Sequence, residues 1–230
     1  MSHVLKSISL VIIAKPPIWG RVKTRLAASI GNDQALAIYG QLLQLVASVA
    51  QKWPGVVLLS AEADDGWNGT GLEHLPRRIQ PVTGLGCRIE AALNWGLEHA
   101  DHTIAIGTDC PAMSVADLMA VAKGLAVVDG LESTRVAFGP AADGGYWSVA
   151  VAAGSPLSLI CADDLPWSTA QLLSATRSRL QTANEAWHEG PLLTDCDDES
   201  DMISAVAAGL LVMPTSTPNR TKNPTQRDSP

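Results

Sequence analysis

Apolar residues along this chain come in blocks with two different spacings. Residues 8–13 form a β-branched apolar run, the pattern of a central strand buried on both faces. Similar short runs over 56–59, 103–108, 135–138 and 146–151 predict further strands, with the fourth breaking at Gly139-Pro140. Between them the spacing changes. Leu36, Leu42, Leu43, Val46 and Val49 recur at helical intervals after Asn32 and Asp33, which offer N-caps, and Trp53-Pro54-Gly55 ends that helix. Residues 87–99 place Ile89, Ala92, Leu93 and Leu97 on one helical side. Ser114 and Asp117 form a capping-box pair for a helix running to about 123. Further helices are expected over 168–180 and 199–209, and a polar, glycine-containing loop over 64–71.

Strands alternating with helices imply a three-layer α/β/α architecture around a mainly parallel, Rossmann-like sheet. Residues 1–213 read as one domain. From 214 to 230 the chain is Pro, Thr, Ser, Asn and charge, and this composition predicts a disordered tail.

Composition then narrows the class. The chain has 230 residues, 47% of them apolar and 17% charged, which is an ordinary globular balance. A net charge of −7 leaves no broad basic face, so nucleic acid is not an expected partner. No run is long enough to cross a bilayer and no cleavable leader is evident, so a cytoplasmic protein without membrane insertion is expected. Cys87, Cys110, Cys161 and Cys196 are widely spaced and read as reduced thiols.

Against that acidic background, Lys15, Arg21, Lys23 and Arg25 fall within eleven residues, in a Pro/Gly loop directly after the first strand. A cationic loop at a strand end is where an open α/β sheet holds phosphate. It is not a Walker A loop, because Val22 and not glycine precedes Lys23-Thr24. Gly107-Thr108-Asp109-Cys110-Pro111 places a lone carboxylate at the end of another strand, a hard ligand suited to Mg²⁺ bridging substrate phosphates. Asp143-Gly144-Gly145, followed by Tyr146 and Trp147, reads equally as a hairpin turn or as a close backbone approach to a ligand. Residues 195–201 carry five carboxylates in seven positions. A helix start explains Asp198, Glu199 and Asp201. It does not explain Asp195 and Asp197, one of which could meet Asp109 across a metal ion. The glycine-rich stretch 80–86 leads into a helix and is a weaker anion-binding candidate.

Together these segments resemble a bacterial family of GT-A-fold transferases. Its members are described as glycosyltransferase-like or nucleotide-diphospho-sugar transferase-like, some of them linked to radical-SAM gene neighbourhoods. The shared pattern is AK-x-P-x-x-G-x-x-KTRL at 14–26, LG-x-R at 85–88, G-[ST]-D-x-P at 107–111, DGGY at 143–146, W-S-T at 167–169 and D-x-D-x-x-x-D at 195–201. More distantly, the first loop looks like that of phospholactate guanylyltransferases. The chain departs from the pattern at Trp19, Cys87, Ala112 and 198–200.

The resemblance implies a metal-dependent transferase that takes a nucleoside triphosphate or nucleotide-sugar donor and moves a nucleotidyl or glycosyl group to a small-molecule acceptor. It implies Asp109 and Asp197 as ligands of Mg²⁺ or Mn²⁺, and Lys23 on the donor phosphates beside Asp109 as the catalytic pair. Lys15, Gly20, Arg21 and Arg25 would assist at the phosphates, with Leu85, Gly86 and Arg88 near the nucleotide. Asp143, Gly144, Gly145, Tyr146, Trp167, Ser168 and Thr169 would face the acceptor. The alternative from another class is a nucleotide-binding module without catalysis.

Overall fold

The computed structural model describes residues 8–125 and 134–214. Seven strands form one sheet in the order β3-β2-β1-β4-β6-β5-β7. They are β1 (Ile8–Ala14), β2 (Val57–Ala61), β3 (Arg77–Ile79), β4 (His102–Ile106), β5 (Val136–Pro140), β6 (Tyr146–Ala152) and β7 (Trp187–Glu189). Only β6 runs against its neighbours. The remaining pairings are parallel. The α-helices among the described residues are α1 (Thr24–Ile30), α2 (Asn32–Lys52), α3 (Leu85–Leu97), α4 (Val115–Ala122), α5 (Leu157–Ile160), α6 (Leu172–Thr182) and α7 (Glu199–Ala207). None of them is long and apolar enough to cross a membrane.

Strand alternation sorts the core into two layers. Leu10 and Ile12 of β1 and Ile104 and Ile106 of β4 pack against Leu26, Ile38, Leu42, Leu118 and Met202 from α1, α2, α4 and α7. Ala105 of β4 and Val149 and Val151 of β6 turn to the other face, against Ile89, Leu93, Ile160, Leu173 and Leu180 of α3, α5 and α6. The expected three-layer, mainly parallel α/β/α fold is therefore the observed one. Trp53 stops α2 by donating its indole N–H to the Ile8 carbonyl at 3.1 Å. Gly55 follows because a Cβ there would lie 2.2 Å from that same oxygen.

The local differences from the expected elements have physical reasons. The short helix α1 precedes α2, and Gly31, at φ 85°, joins the two and serves as the N-cap of α2. Asn32 and Asp33 are thus inside α2 and not before it. The strand β5 continues through Gly139-Pro140 because the pairing with β6 shifts register there, so the proline occupies an irregular ladder position. The helix expected from 168 begins at Leu172, because Ser168 has φ 60°. Too short for a readable period, β3, β7 and α5 had no signal of their own. The capping box of Ser114 with Asp117 is present at α4. Of the tail over 214–230 only Pro214 is described, and 215–230 lie outside the described residues.

Candidate active site

The sheet order reverses between β1 and β4: from β1 the chain moves outward to β2 and β3, then returns to the other side of β1 with β4. Such a switch point leaves a crevice at the carboxyl ends of the two strands. A cleft of ≈ 820 Å³ lies there, reached by the loops after β1 and β4 and by the start of β6.

The loop after β1 is anchored before it reaches the cleft. The Tyr39 hydroxyl on α2 donates to the Lys15 carbonyl at 2.8 Å. Burial pushes the Tyr39 phenol up to about 12, so it stays a neutral donor. At the far end of the loop Lys23 is the N-cap of α1, with φ 46° and ψ 46°. A left-handed lysine is uncommon and costs strain. Of the non-glycine residues with positive φ among those described, Lys23 and Ser168 both line the cleft.

The strained lysine delivers its side chain to two carboxylates. Lys23 Nζ lies 2.5 Å from Asp109 Oδ1 and 2.9 Å from Asp197 Oδ1. Burial by itself would lower the pKa of Lys23, but the two carboxylates outweigh it and hold the value raised, so the ammonium stays charged. Arg25 also pairs with Asp197. Asp109 is placed by Gly107-Thr108 after β4, and its carbonyl accepts from the Cys196 amide at 2.8 Å, which ties the 195–197 segment to it.

The acidic run divides into separate tasks. Asp198 and Asp201 form the capping box of α7. Asp197 points to Lys23 and Arg25. Asp195 accepts a hydrogen bond from the Cys110 thiol at 2.6 Å, and burial raises its carboxyl to about 6.

The structure brings together Lys15, Arg21, Lys23, Arg25, Leu85, Arg88, Asp109, Asp197, Tyr146 and Ser168 around the cleft. It does not bring in the other expected residues, which have local work instead. Gly20 turns the chain at φ 72°. Gly86 packs where a Cβ would meet the Cys161 carbonyl at 2.3 Å and the Trp167 ring at 3.0 Å. Trp167 donates to the Ala162 carbonyl at 2.9 Å and Thr169 to the Pro166 carbonyl at 2.8 Å. The 143–145 segment is the β5–β6 hairpin turn: Asp143 accepts from the Gly145 amide at 2.8 Å, and Gly144, at φ 92°, sits against the Ala170 carbonyl.

Sequence reasoning missed Glu62. Its carboxylate lies 3.6 Å from Lys15 and 3.9 Å from Arg21, so the loop's cations do not face the cleft unpaired. The signal was available in the β1–β2 register, where Ala14 faces Ala61 and the next residues are Lys15 and Glu62. Among the described residues Arg88 is the cleft-lining cation with no carboxylate partner; its Nε donates to the Thr83 carbonyl at 3.0 Å. Gln80, the first residue of the weaker candidate stretch 80–86, is a wall residue: its amide donates to the Ser60 carbonyl at 2.7 Å and the Ala14 carbonyl at 3.3 Å. Among the described residues no three His, Cys, Asp or Glu side chains cluster as a metal cage.

A mainly parallel α/β/α sheet with its cleft at the β1/β4 switch point is the fold of nucleotide-diphospho-sugar transferases and nucleotidyltransferases. A protein described as a nucleotide-diphospho-sugar transferase from Desulfovibrio desulfuricans G20 superposes with a TM-score of 0.75 at 21% identity, covering 86% of this chain and 85% of that one. Glucosyl-3-phosphoglycerate synthase from Mycobacterium tuberculosis, solved with Mn²⁺, UDP and phosphoglyceric acid, gives 0.53 at 10% identity, with 91% and 77% covered. CMP:2-keto-3-deoxy-manno-octonic acid synthetase complexed with CTP gives 0.52 at 12% identity, with 89% and 100% covered. The chain belongs to the family of uncharacterized proteins conserved in bacteria designated DUF2064, whose model matches residues 44–169. No curated protein matches it.

Proposed function

We propose that the protein is a metal-dependent transferase that takes a nucleotide donor and passes a nucleotidyl or glycosyl group to a small acceptor. The observation that carries this reading is the convergence of Asp109 and Asp197 on one cation, the Lys23 ammonium, in the wall of the cleft. Carboxylates from two distant segments, held on one positive centre, are a donor set that also fits Mg²⁺ or Mn²⁺. Such an ion commonly takes one or two protein carboxylates and completes its shell with water and substrate phosphates. Once bound, the metal would supply charge neutralisation at the donor phosphates.

The chain's own residues account for the rest. Lys23, Arg25 and Arg88 offer positive charge on the donor side, where charge builds on the leaving group. The acceptor oxygen forms a new bond to the donor's α-phosphorus or anomeric carbon. The bond to the leaving group breaks, pyrophosphate or nucleoside diphosphate departs with the electron pair, and the acceptor proton passes to water. Positioning and electrostatics suffice for such chemistry, with no covalent nucleophile. Cys110, Cys161 and Cys196 do not supply one: burial pushes their thiols up, away from the thiolate.

The test is calorimetry of nucleoside triphosphates and nucleotide sugars against the protein with and without Mn²⁺, followed by assays for pyrophosphate and nucleoside diphosphate release. Metal-dependent binding that Asp109→Ala abolishes supports the reading. Binding that ignores both the metal and that substitution sinks it and leaves a nucleotide-binding module.

A further inference from the structure

The cleft is polarised. A second cavity of ≈ 90 Å³ shares Gly107, Asp109, Tyr146 and Trp147 with it and is otherwise walled by Cys110, Met113 and Asp195. Lys23, Arg25 and Arg88 line the main cleft, but among the described residues no lysine or arginine lines this recess. Its charged groups are the carboxylates of Asp109 and Asp195.

An independent feature lies at the junction. Ser148, only 1% exposed, lines the main cleft next to Trp147, and its hydroxyl has no hydrogen-bond partner among the described residues. A Cβ on Gly139 would lie 2.5 Å from Ser148 Oγ and 2.3 Å from the Trp147 ring. Both side chains therefore lie over Gly139, and only glycine there leaves room for them. A buried hydroxyl without a partner is costly unless a ligand or water completes it, so this atom points to a polar ligand group.

We infer that the recess is the subsite for the reacting end of the acceptor, and that the acceptor presents an uncharged hydroxyl there, not a phosphate or carboxylate. This rests on the transferase reading above. Asp195 accepts the hydrogen bond of that hydroxyl and Ser148 pairs with a neighbouring polar atom of the same molecule. An anionic group in the recess would meet the Asp195 carboxylate with no lysine or arginine among the lining residues to offset it, the other carboxylate there, Asp109, being already paired with Lys23. The volume suits a terminal carbinol, with the rest of the acceptor in the main cleft. Asp195 is a positioning residue for the acceptor, distinct from the metal-side pair.

The experiment offers the Mn²⁺-loaded protein, with whichever nucleotide donor it binds, two matched acceptor sets: free sugars and polyols, and their phosphate monoesters. Products are read by mass. Consumption of members of the hydroxyl set with a new bond at a hydroxyl oxygen is the expected result. Asp195→Asn should raise the acceptor KM tenfold or more and leave donor Kd within twofold. Ser148→Ala should raise acceptor KM severalfold while raising Tm of the unliganded protein, a combination a purely structural role would not give. A phosphate oxygen as the attacking group, or an acceptor KM unmoved by Asp195→Asn, overturns the inference. So does turnover of neither set by a protein that binds donor and metal. Failure to bind any nucleotide would instead remove the transferase reading itself.

Discussion

Lys23 Nζ reaches Asp197 Oδ1 at 2.9 Å across 174 residues of sequence. This contact, with Asp109 completing the triad, joins the loop after β1 to the segment before α7. It makes the phosphate-side and metal-side halves of the candidate site one electrostatic unit.

Replacing Lys23 by Met leaves Asp109 without its cation and Asp197 with Arg25 alone. Both are partly solvated, so the loss falls below that of a fully buried pair, at about 1–3 kcal/mol. The parent contribution should be constant over neutral pH. A raised lysine pKa keeps its stabilisation in full below the unfolded value of 10.5, and it is lost only as pH climbs through the higher folded value. Thermal melts should also show Mn²⁺ raising Tm more in Lys23→Met than in the parent, because the ion then has no ammonium to displace. An equal or smaller metal response would argue against Asp109 and Asp197 as ligands.

Arg88 is expected to separate binding from stability. With no carboxylate to leave behind, Arg88→Ala should change Tm little. It should weaken nucleotide binding by about 10- to 100-fold, the worth of one charge-assisted hydrogen bond to phosphate. Titration calorimetry on the variant measures this directly. Arg21→Ala, whose guanidinium already pairs with Glu62, should have a much smaller effect.

Asp195 gives a pH signature. Its folded value of about 6 lies above the ordinary 3.8, so the folded state binds the proton more tightly than the unfolded chain. Stability therefore falls as pH rises from 3.8 through 6, and the full cost persists above that. Asp195→Asn removes the cost. Its stability advantage should be about 1–3 kcal/mol at pH 8 and should close below pH 4. Melts across pH 4–8 that stay parallel would contradict this. A carboxylate retained at a cost to stability is what a functional role predicts.

Gly86→Ala addresses a packing role. The new Cβ would press on the Cys161 carbonyl and the Trp167 ring, forcing α3 away from the α5–α6 connection at a cost of about 1–3 kcal/mol. A Tm drop of several degrees is expected, and a variant that melts with the parent would show that the contact yields easily.

Periodicity in the sequence was enough to determine the layered α/β/α fold, because buried central strands and long amphipathic helices carry their burial pattern in neighbouring residues. Strand ends were legible for the same reason, and they brought Lys23 and Asp109 forward. The residues alone left Asp195 and Asp197 as alternatives, and only the family resemblance singled out Asp197. Short elements such as β3, β7 and α5 were not legible, since three or four residues hold no period.

What only the tertiary structure decided is which partner each charge and each glycine meets. Glu62 neutralises Lys15 and Arg21 through the β1–β2 register. Gly86 and Gly144 serve packing and a hairpin turn instead of lining the cleft. Asp195 and Asp197, two residues apart, point to a thiol and to a lysine. Local pattern fixes which residues lie on a strand end or helix face, but charge pairing and steric fit act through space between segments far apart in the chain. Only the folded arrangement sets those distances, and with them the polarity of the cleft.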